Sequence, residues 1–129
     1  MNREIMPTTI APPAANYAHA VLSEHAGSLL HISGQVAAHP DGTIPEDVAE
    51  QAAVIWSNIA AILAEAGMAT ADIVSITTYV VVDFMACLAD VMAARDSALG
   101  GHRAASTLVT VPALARPAWK MEVAIVAAR

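Results

Sequence analysis

The chain is poor in most of the residues that announce chemistry. It has one cysteine, Cys87, in 129 residues, so no internal disulfide can form and a reducing cytoplasm is the simplest setting. Aromatic residues make up 4% of the sequence and charged ones 14%. Like charges form no run longer than the pair Glu46-Asp47, and 12 acidic against 6 basic residues give a net charge of −6, which argues against nucleic-acid binding through a basic face. Nowhere is there an uninterrupted apolar run of the ~18 residues that a membrane span requires. The opening residues hold no apolar stretch of signal-peptide length. The histidines at 19, 25, 31, 39 and 102 lack the short spacings of a metal site, and no metal is expected.

What is abundant is small aliphatic surface. Hydrophobic residues reach 57%, mostly Ala, Val, Ile and Leu. The length suits one domain, residues 1–129, able to bury roughly two-thirds of its unfolded surface. Part of so large an apolar excess is expected between subunits.

Residues 1–16 are punctuated by Pro7, Pro12 and Pro13 and read as an extended lead-in with little structure of its own. Strands are expected near Tyr17–Leu22 and Ser28–Val36, joined as a hairpin across "EHAG". After the turn "HPDGTIP", Asp47 with Glu50 resembles a capping arrangement. It opens a helix whose Val48, Ala52, Ile55, Ile59, Ile62, Leu63 and Ala66 share one face, with Gly67 at its end. Asp72–Asp83 is rich in β-branched residues and reads as a long strand. A second helix is expected over Phe84–Leu99, with Met85, Leu88 and Met92 in the core, ended by Gly100-Gly101. "ASTLVTV" is a strand stopped by Pro112, and "WKMEVAIVA" alternates, placing Lys120 and Glu122 on the face opposite Met121 and Val123. The order ββαβαββ predicts an α+β domain with two helices on one face of a mixed sheet, the other face reserved for a wet oligomer interface.

Several segments together, "PAANYAHAV", "SGQVAAHPDG", "EDVAEQAAVIWSNIAAILAEAG", "DIVSITTYV" and "AASTLVTV" followed by "KMEVAIVA", resemble the Rid family. These are reactive intermediate deaminases of the YjgF type, often labelled endoribonuclease L-PSP. The resemblance runs from Ala14 to Ala127 and implies a chorismate-mutase-like fold assembled as a homotrimer, with ligand clefts between neighbouring subunits. It implies hydrolysis of enamines or imines to 2-oxo acids without any cofactor, and a small anionic metabolite as the partner. In catalytic members an arginine before the Ser/Thr pair of the penultimate strand clamps the substrate carboxylate.

At that position stands Ala105. Leu88 replaces an asparagine and Lys120 a glutamate of the family pattern, while Tyr17, Ser33, Gly34 and Glu122 match it. No catalytic residue is assigned on this basis. Arg103 is either a displaced anion clamp or a solvated loop residue. Lys120 either holds a carboxylate as a point charge or pairs with Glu122 or a neighbour's acid. Arg116 is a surface residue or a ligand contact, and Ser33 lacks the histidine and acid of an activated nucleophile. Two function classes follow: a trimer that binds a small carboxylate-type metabolite with altered or lost deaminase activity, or a hydrolase using a displaced basic residue. Ribonuclease activity is disfavoured by the acidic charge and by the absence of a histidine acid–base pair by motif.

Overall fold

A computed structural model describes residues 1–129. Its central sheet has four strands in the order β3–β6–β4–β5, comprising β3 (Leu29–Gln35), β4 (Ile73–Val81), β5 (Ala105–Val111) and β6 (Met121–Ala128). β4 pairs antiparallel with β6 and parallel with β5, so the sheet is mixed. Helices α1 (Val48–Glu65) and α2 (Leu88–Leu99) cover one face.

Sequence dictates α1 most directly. The Asp47 carboxylate accepts from the Glu50 amide at 3.0 Å, a cap worth about 1 kcal/mol. Ala52, Ile55, Ile59 and Leu63 recur at helical spacing and are at most 1% exposed, packed over Ile76, Val80, Met121, Val123 and Ile125 of the sheet. Ala66, expected on the same stripe, lies past the last turn and is exposed. The helix ends before Gly67, whose φ of +70° only glycine adopts without strain. Alternation does the same for β6: Met121, Val123, Ile125 and Ala127 are buried under the helices, and Glu122, Ala124 and Val126 are half-buried on the open face.

Three expectations are corrected. The lead-in is not unstructured: Asn2–Ile5 forms β1, paired antiparallel with β2 (Ala20–Ser23) in a separate two-stranded sheet. β2 pairs with β1 and not with β3, so the expected hairpin across "EHAG" is a connection between two sheets. The second helix begins at Leu88, because Val82–Cys87 forms tight 3-10 turns interrupted at Phe84 (φ −110°, ψ 20°). Met85 consequently faces solvent, 51% exposed, and is not core.

α2 carries one polar surprise inward. Arg95 is 6% exposed. Its Nε donates to Asp96 Oδ1 at 2.9 Å and its Nη1 reaches Ser106 Oγ at 3.5 Å. Nη2 lies 2.9 Å from Asp96 Oδ1 without hydrogen-bonding alignment and has no other partner. No helix is long and apolar enough to cross a membrane.

Candidate functional site

The residues singled out by sequence fall into two groups at opposite ends of the sheet. At the first end, Ala18 bridges to Ala105 and donates its amide to the Ala104 carbonyl at 3.0 Å, which lays Tyr17 beside the head of β5. The half-buried Tyr17 accepts from the Ala14 amide at 3.3 Å. Ala105 pairs with Ser75, so its methyl shares the open face with Ser75, Thr77 and Thr107. Arg103 lies outside the strand and turns to β1, where Nε and Nη2 meet the two Glu4 oxygens at 3.2 and 2.6 Å.

At the second end, Glu122 stands opposite Tyr79 on the open face. Beside it β3 carries a bulge, because Ile32 pairs with Ile125 and Gln35 with Val123, leaving Ser33 and Gly34 against Ala124 alone. The bulge serves Glu122. A Cβ built on Gly34 would lie 2.6 Å from Glu122 Cδ and overlap its carboxylate oxygen, so only glycine leaves room for the acid here. The exposed Ser33 flanks the same spot.

Lys120 belongs to this end by position and not by direction. Its amide donates to the side-chain oxygen of Gln51 at 3.1 Å, its ammonium donates to the Glu46 carbonyl, and the ammonium sits 4.9 Å from the centre of the Phe84 ring. It forms no ion pair with Glu122. Leu88 opens α2 and packs against the hydrophobic core.

The rungs carrying Ala105 and Glu122 are four residues of β4 apart, Ser75 and Tyr79, which is about 13 Å along the strand. β4 also separates β5 from β6, adding about 10 Å across the sheet. Within one chain the two groups are thus about 16 Å apart.

Sequence reasoning passed over Gln51, which is fully buried and joins three segments: its amide nitrogen donates to the Pro45 and Ala118 carbonyls at 2.8 and 2.9 Å, while its oxygen accepts from Lys120. Its signal was present, a polar residue on the apolar stripe between Val48 and Ile55. Phe84 and Trp119 were also missed as walls of a hollow of about 460 Å³ between the 3-10 turns and the β5–β6 loop. Nowhere do three His, Cys, Asp or Glu side chains approach closely enough to hold a metal ion. One carboxyl is displaced from its ordinary range: Asp41, in the exposed turn before α1, is held low by hydrogen bonds from the Thr43 amide and hydroxyl.

Comparison with known proteins adds kinship to this geometry. The sequence profile of the family described as Endoribonuclease L-PSP matches residues 8–129. The RutC family protein YjgH of Escherichia coli (strain K12) is 35% identical over 68 residues, 47% of this chain and 52% of that protein. A RutC family protein of Haemophilus influenzae (strain ATCC 51907 / DSM 11121 / KW20 / Rd) is 38% identical over 82 residues, 62% of this chain and 61% of that protein. Against these curated relatives the chain thus spans 52% and 61% of their length. Among solved structures, YyfB from Yersinia pestis, a protein of unknown function of the conserved Rid protein family, is 33% identical with a TM-score of 0.90, covering 99% of this chain and 98% of that one. E. coli TdcF, solved with bound serine, is 27% identical with a TM-score of 0.73, covering 98% and 99%.

Proposed function

Since the chain belongs to the Endoribonuclease L-PSP family, in which it matches over residues 8–129, we propose that it is a Rid-type protein that binds a small carboxylate-type metabolite in clefts between the subunits of a homotrimer, with its enamine and imine deaminase chemistry altered or lost. One observation carries this reading. Ala105 presents a methyl group to the open face where a carboxylate clamp is expected, and the basic residues nearest in sequence to the two ends are engaged elsewhere, Arg103 by Glu4 and Lys120 by the Glu46 carbonyl. A charge-assisted contact of the kind missing here contributes ~1.5–3 kcal/mol, so its absence alone slows turnover about 10- to 150-fold.

The separation of the two residue groups supports assembly, because the Glu122–Gly34 end of one subunit completes a cleft only beside the Ala105–Tyr17 end of another. Ala124 and Val126 leave the open face too apolar for solvent alone, in keeping with a covered surface. Hydrolysis with Arg103 or Lys120 as a displaced clamp requires either residue first to abandon its present partner. The single cysteine accords with a reducing cytoplasm.

The test couples the purified protein to an amino-acid oxidase and traps the released imine with semicarbazide. Competition with the trap at least about tenfold weaker than that of an arginine-bearing relative is expected. Equal competition removes the argument from Ala105.

A further inference from the structure

Four of the five histidines are settled within the chain or stand in open connections. His19 and His102 each set a ring nitrogen against a main-chain carbonyl, that of Ala11 at 2.8 Å and that of Ile73 at 2.7 Å. His25 and His39 are exposed in the segments before β3 and α1. His31 is different, because it lies inside β3, paired with Val126 of β6. Its neighbours Leu30 and Ile32 turn toward the helices, so alternation puts the imidazole on the open face of the sheet.

There it borders a hollow of about 160 Å³ with Ser75 and Thr77 of β4 and Ala124 and Val126 of β6. None of these carries a charge. On the same face β3 adds Leu29 and Ser33, and β5 adds Ala105, Thr107 and Val109, uncharged as well. Glu122 and Tyr79 oppose each other four residues of β6 from Val126, about 13 Å along the strand. In the other direction Arg129, opposite Ser28, is about 10 Å away and donates to the Gly67 carbonyl. An imidazolium at position 31 has no counter-ion beside it.

In a free chain water solvates that charge. Covering the open face removes water and supplies no carboxylate in its place, which favours the neutral ring. We propose that the three His31 side chains make the homotrimer acid-sensitive, holding it together at neutral pH and driving it apart as they take up protons near pH 6.5, where an imidazole ordinarily titrates. This rests on the homotrimer reading and adds its regulation. Each chain released binds one more proton than it held in the assembly, so acid favours the free chains. Carboxyl and phenol groups ordinarily titrate outside the range from pH 5.5 to 7.5 and leave this transition to the imidazoles. The proposed cleft is built from two chains, so the same protonation dismantles it.

Sedimentation equilibrium of the full chain between pH 7.5 and 5.5 tests this. Excluding the proton from the assembly raises its dissociation constant about tenfold per imidazole over that range, hence by up to about a thousandfold for three. His31→Gln should remain a trimer at both ends of the range. A second readout needs no dissociation: in proton NMR of the wild-type trimer the His31 ring signals, recognised by their absence from His31→Gln, should titrate at lower pH than those of the exposed His25 and His39. Circular dichroism at pH 5.5 should show the separated chains still folded. A trimer indifferent to pH whose His31 titrates alongside His25 and His39 overturns the proposal and leaves the homotrimer standing. Equal acid dissociation in His31→Gln, or dissociation only with loss of ellipticity, overturns it too. A monomer at pH 7.5 removes the homotrimer reading itself.

Discussion

Glu122 rests its carboxylate on the bare Cα of Gly34, in space that any side chain at position 34 would fill. The two residues lie on neighbouring strands and are brought together by the bulge at Ser33–Gly34. Conformational freedom is not what this glycine supplies, for it is absent from the positive-φ positions, Gly42, Gly67, Gly100 and Gly101. It supplies room.

Gly34→Ala therefore tests function with little penalty to folding, since the group displaced is the flexible end of one side chain. The melting temperature should move by no more than about 4 °C. Affinity for 2-oxo acids, measured by calorimetry, should shift in the same direction and by the same factor as in Glu122→Ala, about tenfold or less, and the double variant should shift no further than the larger single one because both remove the same carboxylate position. Additive shifts would mean that Gly34 acts independently of Glu122.

The Arg103–Glu4 pair should hold β1 more than it stabilises the whole. The two side chains are 39% and 34% exposed, so breaking the pair should cost under about 1 kcal/mol globally. Hydrogen exchange should show faster exchange over Asn2–Ile5 in Arg103→Gln, with the core amides unaffected. Unchanged exchange would mean that the backbone ladder to β2 suffices.

At Arg95 the expected sign is reversed. A buried guanidinium with one misaligned nitrogen is replaced with profit by an apolar side chain of similar length, so Arg95→Met should be neutral or stabilising by up to about 4 kcal/mol, read as a higher midpoint in urea. Arg95→Ala, which leaves a cavity, should lose about 2 kcal/mol or more.

Asp41 gives a small acid-side signature. Its carboxyl titrates below the ordinary 3.8 in the folded chain, so its stabilising contribution is complete above that value and is lost as pH falls through the lower, folded one. Asp41→Asn should flatten the stability profile below about pH 4 and, above that, lower stability slightly without changing its slope. An identical acid limb would assign acid sensitivity to other carboxyls.

How far such relationships were visible beforehand depends on their reach along the chain. α1 was legible because its cap, stripe and terminating glycine are all local. β6 was legible through alternation, but extending that alternation back to Lys120 misjudged its side chain, which Gln51, Glu46 and Phe84 claim from distant segments. β1 was missed for the same reason. "NREI" has no strand character of its own and becomes a strand through β2 and through Arg103 at the far end of the sequence. The candidate residues were named one by one from sequence, but their separation into two ends depends on β6 inserting between β3 and β4, which no local pattern encodes.

That separation has a genetic reading. A lesion near Ala105 and a lesion near Glu122 spoil different halves of the proposed cleft, so each alone inactivates a homogeneous assembly. Co-expressed, the two damaged chains should complement, because about one junction in four would pair the intact end of one with the intact end of the other. Two null alleles of one gene would then yield a working protein, whereas two lesions at the same end never would.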